Sequence, residues 1–349
     1  MESPGRSRLV SFLYNQNPFY LISAGIVLYG LNSSLTSGGD EVIGHWLLAS
    51  IISSYAALLA LTAFLIVKFG GVWDDARSIF MVILLLFFAL SVSFDSLCIT
   101  DARLAVKMLA SGFCFSVVVT ELLLSGLAIR IPARFKAPLY LMLAVSFFYP
   151  LTMSVRDQLM PGLDSRWILA FFPVVVAGAI LSLIPAARAG SAFNRFNGTP
   201  WSWPMFPWSL FILMAIGLCG RGWLLTQAFD PTSGSRTIFA SWFFIPVLFA
   251  TLYVLLEVAI VEKIPQLRIA VFAFAALLPF LGGQLFSYKS TGGFEHLLTS
   301  SIASPIWAGL FLAGVIYAAA AFRNQRGAMT LLVMTLAIGL VQRSDGSLA

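Results

Sequence analysis

The sequence predicts an all-α protein, a polytopic integral membrane bundle of ten transmembrane helices with a short eleventh segment and a cytoplasmic N-terminus. Three observations predict it. Of 349 residues, 59% are hydrophobic and only 10% charged, against about 25% charged in an average soluble domain. The 21 Lys and Arg and 15 Asp and Glu cannot cover a water-facing surface on a 38.0 kDa chain with mean hydropathy +0.92, so most of the surface must face lipid. Apolar runs of roughly 20 residues, the length a helix needs to cross the hydrocarbon core, recur from end to end. Finally, Lys and Arg concentrate on alternate connections, the pattern that retention of cations on the cytoplasmic side produces.

The runs follow in order. The first, 18–35, comes after a basic start holding Arg6 and Arg8 and ends at Asn32-Ser33-Ser34. No small-residue cleavage site follows it, so it reads as an uncleaved span. Gly38-Gly39-Asp40-Glu41 separates it from the second, 45–67. Lys68, Asp74, Asp75 and Arg77 set off the third, 78–98, and Asp101, Arg103 and Lys107 the fourth, 108–129. Arg130, Arg134 and Lys136 precede the fifth, 138–155, and Arg156, Asp157 and Asp164 the sixth, 167–187. The stretch 188–207 then reads as a Trp/Pro-rich interfacial loop, with Trp201 and Trp203 at headgroup level and prolines delaying the next helix. Asp230 and Arg236 part the seventh run, 207–228, from the eighth, 237–260; Glu262, Lys263 and Arg268 introduce the ninth, 269–288. Lys289 and Glu295 precede the tenth, 304–322, and Arg323 and Arg326 the last, 328–342, which is short for a span. No connection is long enough for a soluble kinase, nucleotide-binding or DNA-binding domain, so residues 1–349 read as a single multi-span membrane domain.

With the N-terminus inside, thirteen of the 21 Lys and Arg fall on the inner side. These are Arg6, Arg8, Lys68, Arg77, Arg130, Arg134, Lys136, Arg188, Arg195, Lys263, Arg268, Arg323 and Arg326. The net charge of +6 is therefore a topology signal. No basic cluster stands beside aromatics on a soluble surface, so nucleic acid is not an expected partner; the lipid bilayer is. The expected location is a cell membrane, with the lack of disulfide-bearing outer domains pointing to a bacterial cytoplasmic one. Cys98, Cys114 and Cys219 show no CxxC spacing and read as small buried hydrophobes.

Absent motifs narrow the chemistry. His45 and His296 are the only histidines, too few for haem held between paired imidazoles or a His-rich metal site. H-E-x-x-H, G-x-S-x-G, Walker A and G-x-G-x-x-G do not occur. No cofactor and no metal are expected.

Charges inside spans are the informative positives, because one at a helix centre costs about 2.5 to 3.5 kcal/mol even on the lenient insertion scale. Glu121 in the fourth run and Arg221 in the seventh qualify. Counted from the inner ends of their runs they lie roughly 12 and 21 Å deep, close enough for two long side chains to pair if their helices are neighbours. Around Arg221, Gly217, Gly220 and Gly222 loosen the helix; Pro279 with Gly282-Gly283-Gln284, and Tyr149-Pro150, are comparable weak points in outward-running segments. Broken helices at matching depth are where transporters expose polar backbone to a solute. The reading is a permease-like transporter of a small anionic or amphipathic solute. Arg221 is its anion anchor, Gln284 a hydrogen-bond partner and Glu121 a counter-ion or proton carrier.

A second reading starts from Asp40 and Glu41 in the first outer loop, followed by His45. An acidic first outer loop in a chain of many spans resembles membrane glycosyltransferases that use polyprenyl-linked sugars. That resemblance implies a base or metal-ligand role for Asp40 or Glu41, in a transferase acting on a lipid-linked substrate. The chain departs from the group in lacking a long second juxtamembrane loop and in being short. A third reading, a non-catalytic subunit of a membrane complex, needs no site. Two further features read as structural: the spacing of Gly309, Ala313 and Tyr317 suits close helix packing, and Glu257, followed by Glu262 and Lys263, reads as interfacial.

Overall fold

The computed structural model describes residues 41–154, 165–191, 198–201, 205–229, 241–281 and 305–346. The first apolar run, Asp40 and Gln284 lie outside them. Among the described residues the chain forms twelve helices and no strand. Seven helical segments are long and apolar enough to cross a membrane, and Pro265–Phe280, Ile306–Phe322 and Ala328–Val341 are shorter apolar helices. Large apolar side chains stand outward on several of them: Phe311 is 71% and Leu340 70% exposed. Such surface is stable only against lipid or a partner.

The chain divides into two compact units, residues 1–132, 146–155 and 194–217 in one and 133–145, 156–193 and 218–349 in the other. The first holds α1 (Glu41–Gly70), α2 (Trp73–Val92), α3 (Leu97–Thr100) and α4 (Ala102–Gly126). Here α1 packs on α2, both pack on α4, and α3 leads directly into α4. Asp101 explains where α4 begins: its carboxylate accepts from the backbone N–H of Arg103 (3.0 Å) and Leu104 (3.1 Å), satisfying donors that a helix start leaves orphaned. The helix therefore opens at Ala102, ahead of the expected 108, and carries Arg103 and Lys107 in its first turns. Phe87, Phe94 and Phe147 are fully buried. Beside them Ser91 Oγ lies 2.9 Å from Ser146 Oγ and donates to the Ser146 carbonyl at 3.0 Å.

Two helices cross between the units' residues, α5 (Ala133–Phe148) and α8 (Met205–Phe229). The second unit also holds α6 (Ser165–Leu181), α7 (Ile184–Ala189), α9 (Ser241–Val261), α10 (Pro265–Leu281), α11 (Pro305–Phe322) and α12 (Ala328–Gly346). Its organising element is α9, which packs on α6, α7, α10 and α11, while α11 also packs on α10 and α12. The core between α9, α10 and α11 is Leu256, Val271, Ala275, Leu278, Ile316 and Ala320. Gly309, Ala313 and Tyr317 face α10 as their spacing predicts. A methyl at Gly309 would stand 2.7 Å from the Leu278 carbonyl oxygen, Ala313 is buried, and the Tyr317 hydroxyl donates to the Phe272 carbonyl at 2.9 Å. Pro138, Pro173, Pro246 and Pro279 all lie inside helices, which neighbouring groups make tolerable at membrane depth.

Within the Trp/Pro-rich stretch the Trp201 indole is buried in the first unit. It stands edge-on to Trp73 (5.6 Å between centroids) and Phe80 (6.0 Å), with Phe206 tilted against it at 5.3 Å. Trp73 and Phe80 are seven residues apart on α2 and so share one helix face, which forms an aromatic slot that takes the ring. Trp203 lies outside the described residues.

Candidate functional site

Arg221 is one of the two charged side chains the sequence places inside spans, and the structure buries it almost completely, at 1% exposure. It sits on α8 eight residues before Phe229, about 12 Å from that end of the helix. The side chain is engaged by other groups of the protein. The helix around it is not broken: α8 is kinked at Phe206, where the backbone is extended, and runs on without a further break to Phe229, through Gly217-Leu218-Cys219-Gly220-Arg221-Gly222. A helix in lipid must satisfy its backbone internally, and glycine's cost of about 1 kcal/mol in a helix interior is too small to break it. Gly217 instead permits close approach, since a methyl there would overlap the Phe88 ring, while beside Gly220 there is open space.

The other expected weak points differ. Tyr149-Pro150 does interrupt its segment, as a turn between α5 and the helical residues 151–154. Pro279 lies inside α10, which stays helical to Leu281; Gln284 lies outside the described residues. Glu121 is partly buried on α4, five residues from the helix end, and is engaged by other groups. It belongs to the first unit and Arg221 to the second. Of the alternative site, Glu41, expected in the loop, is the first residue of α1, and His45 lies one turn on in the same helix. Asp40 is outside the described residues. Among the described residues no group of three or more His, Cys, Asp and Glu stands together.

A second constellation escaped the reading of the sequence. Glu257, expected at the interface, is 4% exposed. It lies four residues before the end of α9, where Arg188 of α7 donates from Nη2 to Oε1 at 2.7 Å and Arg323, just past α11, approaches Oε2 at 3.3 Å. The carboxylate is closed off while the cations stay half-exposed, with side chains 49% and 42% accessible. Local chain geometry makes this possible. The short α7 ends at Gly190, whose backbone is left-handed (φ +69°), a conformation that glycine adopts without the Cβ penalty. A methyl there would meet Val261 at 2.9 Å. The next residue, Ser191, donates its N–H to the Glu262 carboxylate. On the far side Arg268 donates to Gln325 Oε1 at 2.6 Å, and Gln325 Nε2 donates to the Arg323 carbonyl at 2.9 Å. Ends of α7, α9, α10 and α11 are thus tied by polar contacts into one cluster.

No known protein family, curated protein or solved structure matches this chain. One signal could have found the Glu257 cluster. Arg188, Glu257 and Arg323 sit at the ends of the sixth, eighth and tenth apolar runs, which an alternating topology brings to the same side. Arg221 offers a fixed cation with no surface access of its own, suited to an anion or carboxylate. The Glu257 cluster offers a buried carboxylate held by two half-exposed cations.

Proposed function

We propose that this protein is a permease-like transporter of a small anionic or amphipathic solute, with Arg221 as the anion anchor. The observation that carries the reading is a fully buried guanidinium well inside an uninterrupted apolar helix. A cation there costs several kcal/mol against a neutral residue, and intramembrane cations that persist mark substrate or ion pathways. Arginine suits the task because it stays charged at any physiological pH and presents a planar fork of donors matching a carboxylate. In this reading Glu121 is a counter-ion or proton carrier and Gln284 a hydrogen-bonding contact. The ten-span count with a short eleventh and the cytoplasmic N-terminus belong to the same proposal.

The test is a thermal-shift screen of the detergent-purified full chain against small carboxylates, phosphate and amino acids. Counterflow measurements in proteoliposomes then follow for any compound that stabilises. One class of anion is expected to raise the unfolding temperature and to exchange across the membrane. Arg221→Gln should abolish both effects, and Arg221→Lys, which keeps the charge but not the fork, should retain part of the binding. Stabilisation that persists unchanged in folded Arg221→Gln protein, or no response to any anion, would overturn the assignment.

A further inference from the structure

The Glu257 cluster carries more cation than its structural role uses. Arg188 and Arg323 both approach Oε1 of Glu257, at 2.7 and 3.5 Å, so their Nη2 atoms are at most about 6 Å apart. One carboxylate accepts from two guanidiniums that each carry five N–H donors, and both arginine side chains are half-exposed. Among the described residues they pair with no carboxylate other than Glu257. Glu262 is occupied by the Ser191 N–H, and Arg268 spends a donor on the neutral Gln325 amide. Lys263 and Arg326 are exposed on the adjoining turns. Five cations and two carboxylates therefore meet at one end of the second unit, where α9 and α11 end and α10 and α12 begin.

Apolar surface adjoins this charge. Phe322, next to Arg323, is 89% exposed, and Ile269, next to Arg268, is 65% exposed. Cations at helix ends beside outward apolar side chains match an amphipathic molecule whose anionic head sits at the interface and whose chains lie along the helices. A free inorganic anion would use the guanidiniums and leave the apolar neighbours without a role.

We infer that Arg188 and Arg323 form a binding site for the phosphodiester of an anionic phospholipid, with Glu257 holding the two guanidiniums close enough to grip one phosphate together. The carboxylate acts here as a positioning residue. It keeps two like charges within about 6 Å, and the phosphate completes the neutralisation from the outer side. This inference is independent of the transport reading, since it invokes neither Arg221 nor Glu121.

The experiment uses the full chain purified in a neutral detergent, with native mass spectrometry and thermal unfolding as paired readouts. The probes are phosphatidylglycerol, phosphatidylcholine and inorganic phosphate. The test variant Arg188→Gln/Glu257→Gln/Arg323→Gln removes both cations without orphaning the carboxylate; Arg130→Gln in the first unit makes the same net charge change. Phosphatidylglycerol is expected to remain bound and to raise the unfolding temperature in wild type and in Arg130→Gln. In the triple variant its apparent affinity should fall roughly tenfold or more, the loss of two headgroup contacts. Equal retention of phosphatidylcholine would overturn the site, as would full competition by inorganic phosphate at equal concentration or unchanged phosphatidylglycerol binding in the folded triple variant.

Discussion

Two arginines on one buried carboxylate make a prediction about non-additivity. Glu257 keeps one guanidinium when the other is removed, so neither single substitution orphans its charge. Arg188→Ala deletes the 2.7 Å contact and leaves Arg323; Arg323→Ala deletes the longer 3.3 Å contact and leaves Arg188. Both cations are half-exposed and screened by solvent, so each single loss falls near the range of surface pairs, about 1 kcal/mol for Arg188→Ala and less for Arg323→Ala. The double variant is different in kind. It leaves a carboxylate whose side chain is 5% exposed with no cation, and an uncompensated buried charge costs about 3 to 5 kcal/mol. The double loss should therefore exceed the sum of the singles by at least about 1 kcal/mol. Adding Glu257→Gln to the double should recover most of that excess, because a neutral amide no longer needs a counter-charge. Equilibrium unfolding in bicelles, followed by steric trapping, measures all four. A double variant that equals the sum of the singles within about 0.5 kcal/mol, the usual scatter for independent sites, would refute the shared-carboxylate argument.

Further outcomes follow from single groups. Gly309→Ala places a methyl 2.7 Å from backbone of α10 and should cost about 1 to 3 kcal/mol as overpacking in the same unfolding assay. Gly220→Ala, into open space on α8, should be neutral or stabilising by up to about 1 kcal/mol. The Trp201 indole N–H is buried without a hydrogen-bond partner among the described residues, so Trp201→Phe should be near neutral in denaturant titration, whereas Trp201→Ala, which empties the slot between Trp73 and Phe80, should cost about 3 to 5 kcal/mol. Tyr317→Phe removes the bond to the Phe272 carbonyl and should lower stability by about 1 kcal/mol while leaving α10 and α11 packed, as cysteine cross-linking across that helix pair would show.

What the sequence revealed is what a sliding window of hydropathy can hold. The apolar runs and their approximate bounds are legible because each is a local property of about 20 residues, and the described helices fall on them. The same window misplaces the start of α4, since it counts Arg103 and Lys107 as a break. The helix tolerates them because Asp101 caps its first turn and long basic side chains reach the interface. Glycine shows the limit more sharply. Gly217 seats the Phe88 ring, Gly309 seats the backbone of α10, and Gly220 seats nothing. The neighbour decides among these roles, and composition holds no record of it. Trp201 shows the same limit: its ring is held by a slot that α2 supplies from more than 120 residues away, a partner that no local pattern records.

The two charged sites differ in legibility because they differ in depth. Glu257 lies only about 6 Å from the end of α9, close enough that partners standing at the interface reach it. Its burial is created by Arg188 and Arg323, 69 and 66 residues distant, so no local pattern distinguishes it from an ordinary interfacial acid. Arg221 has no such shallow solution. At about 12 Å from the nearer end of α8, its cost can be inferred from position alone, and a stretch of apolar sequence interrupted by one arginine is conspicuous. The depth that made Arg221 visible is also what makes it hard to explain as scaffolding. A neutral residue would fill the same place more cheaply, whereas at the end of the second unit two cations and a carboxylate offset one another, and only the surplus positive charge asks for a ligand.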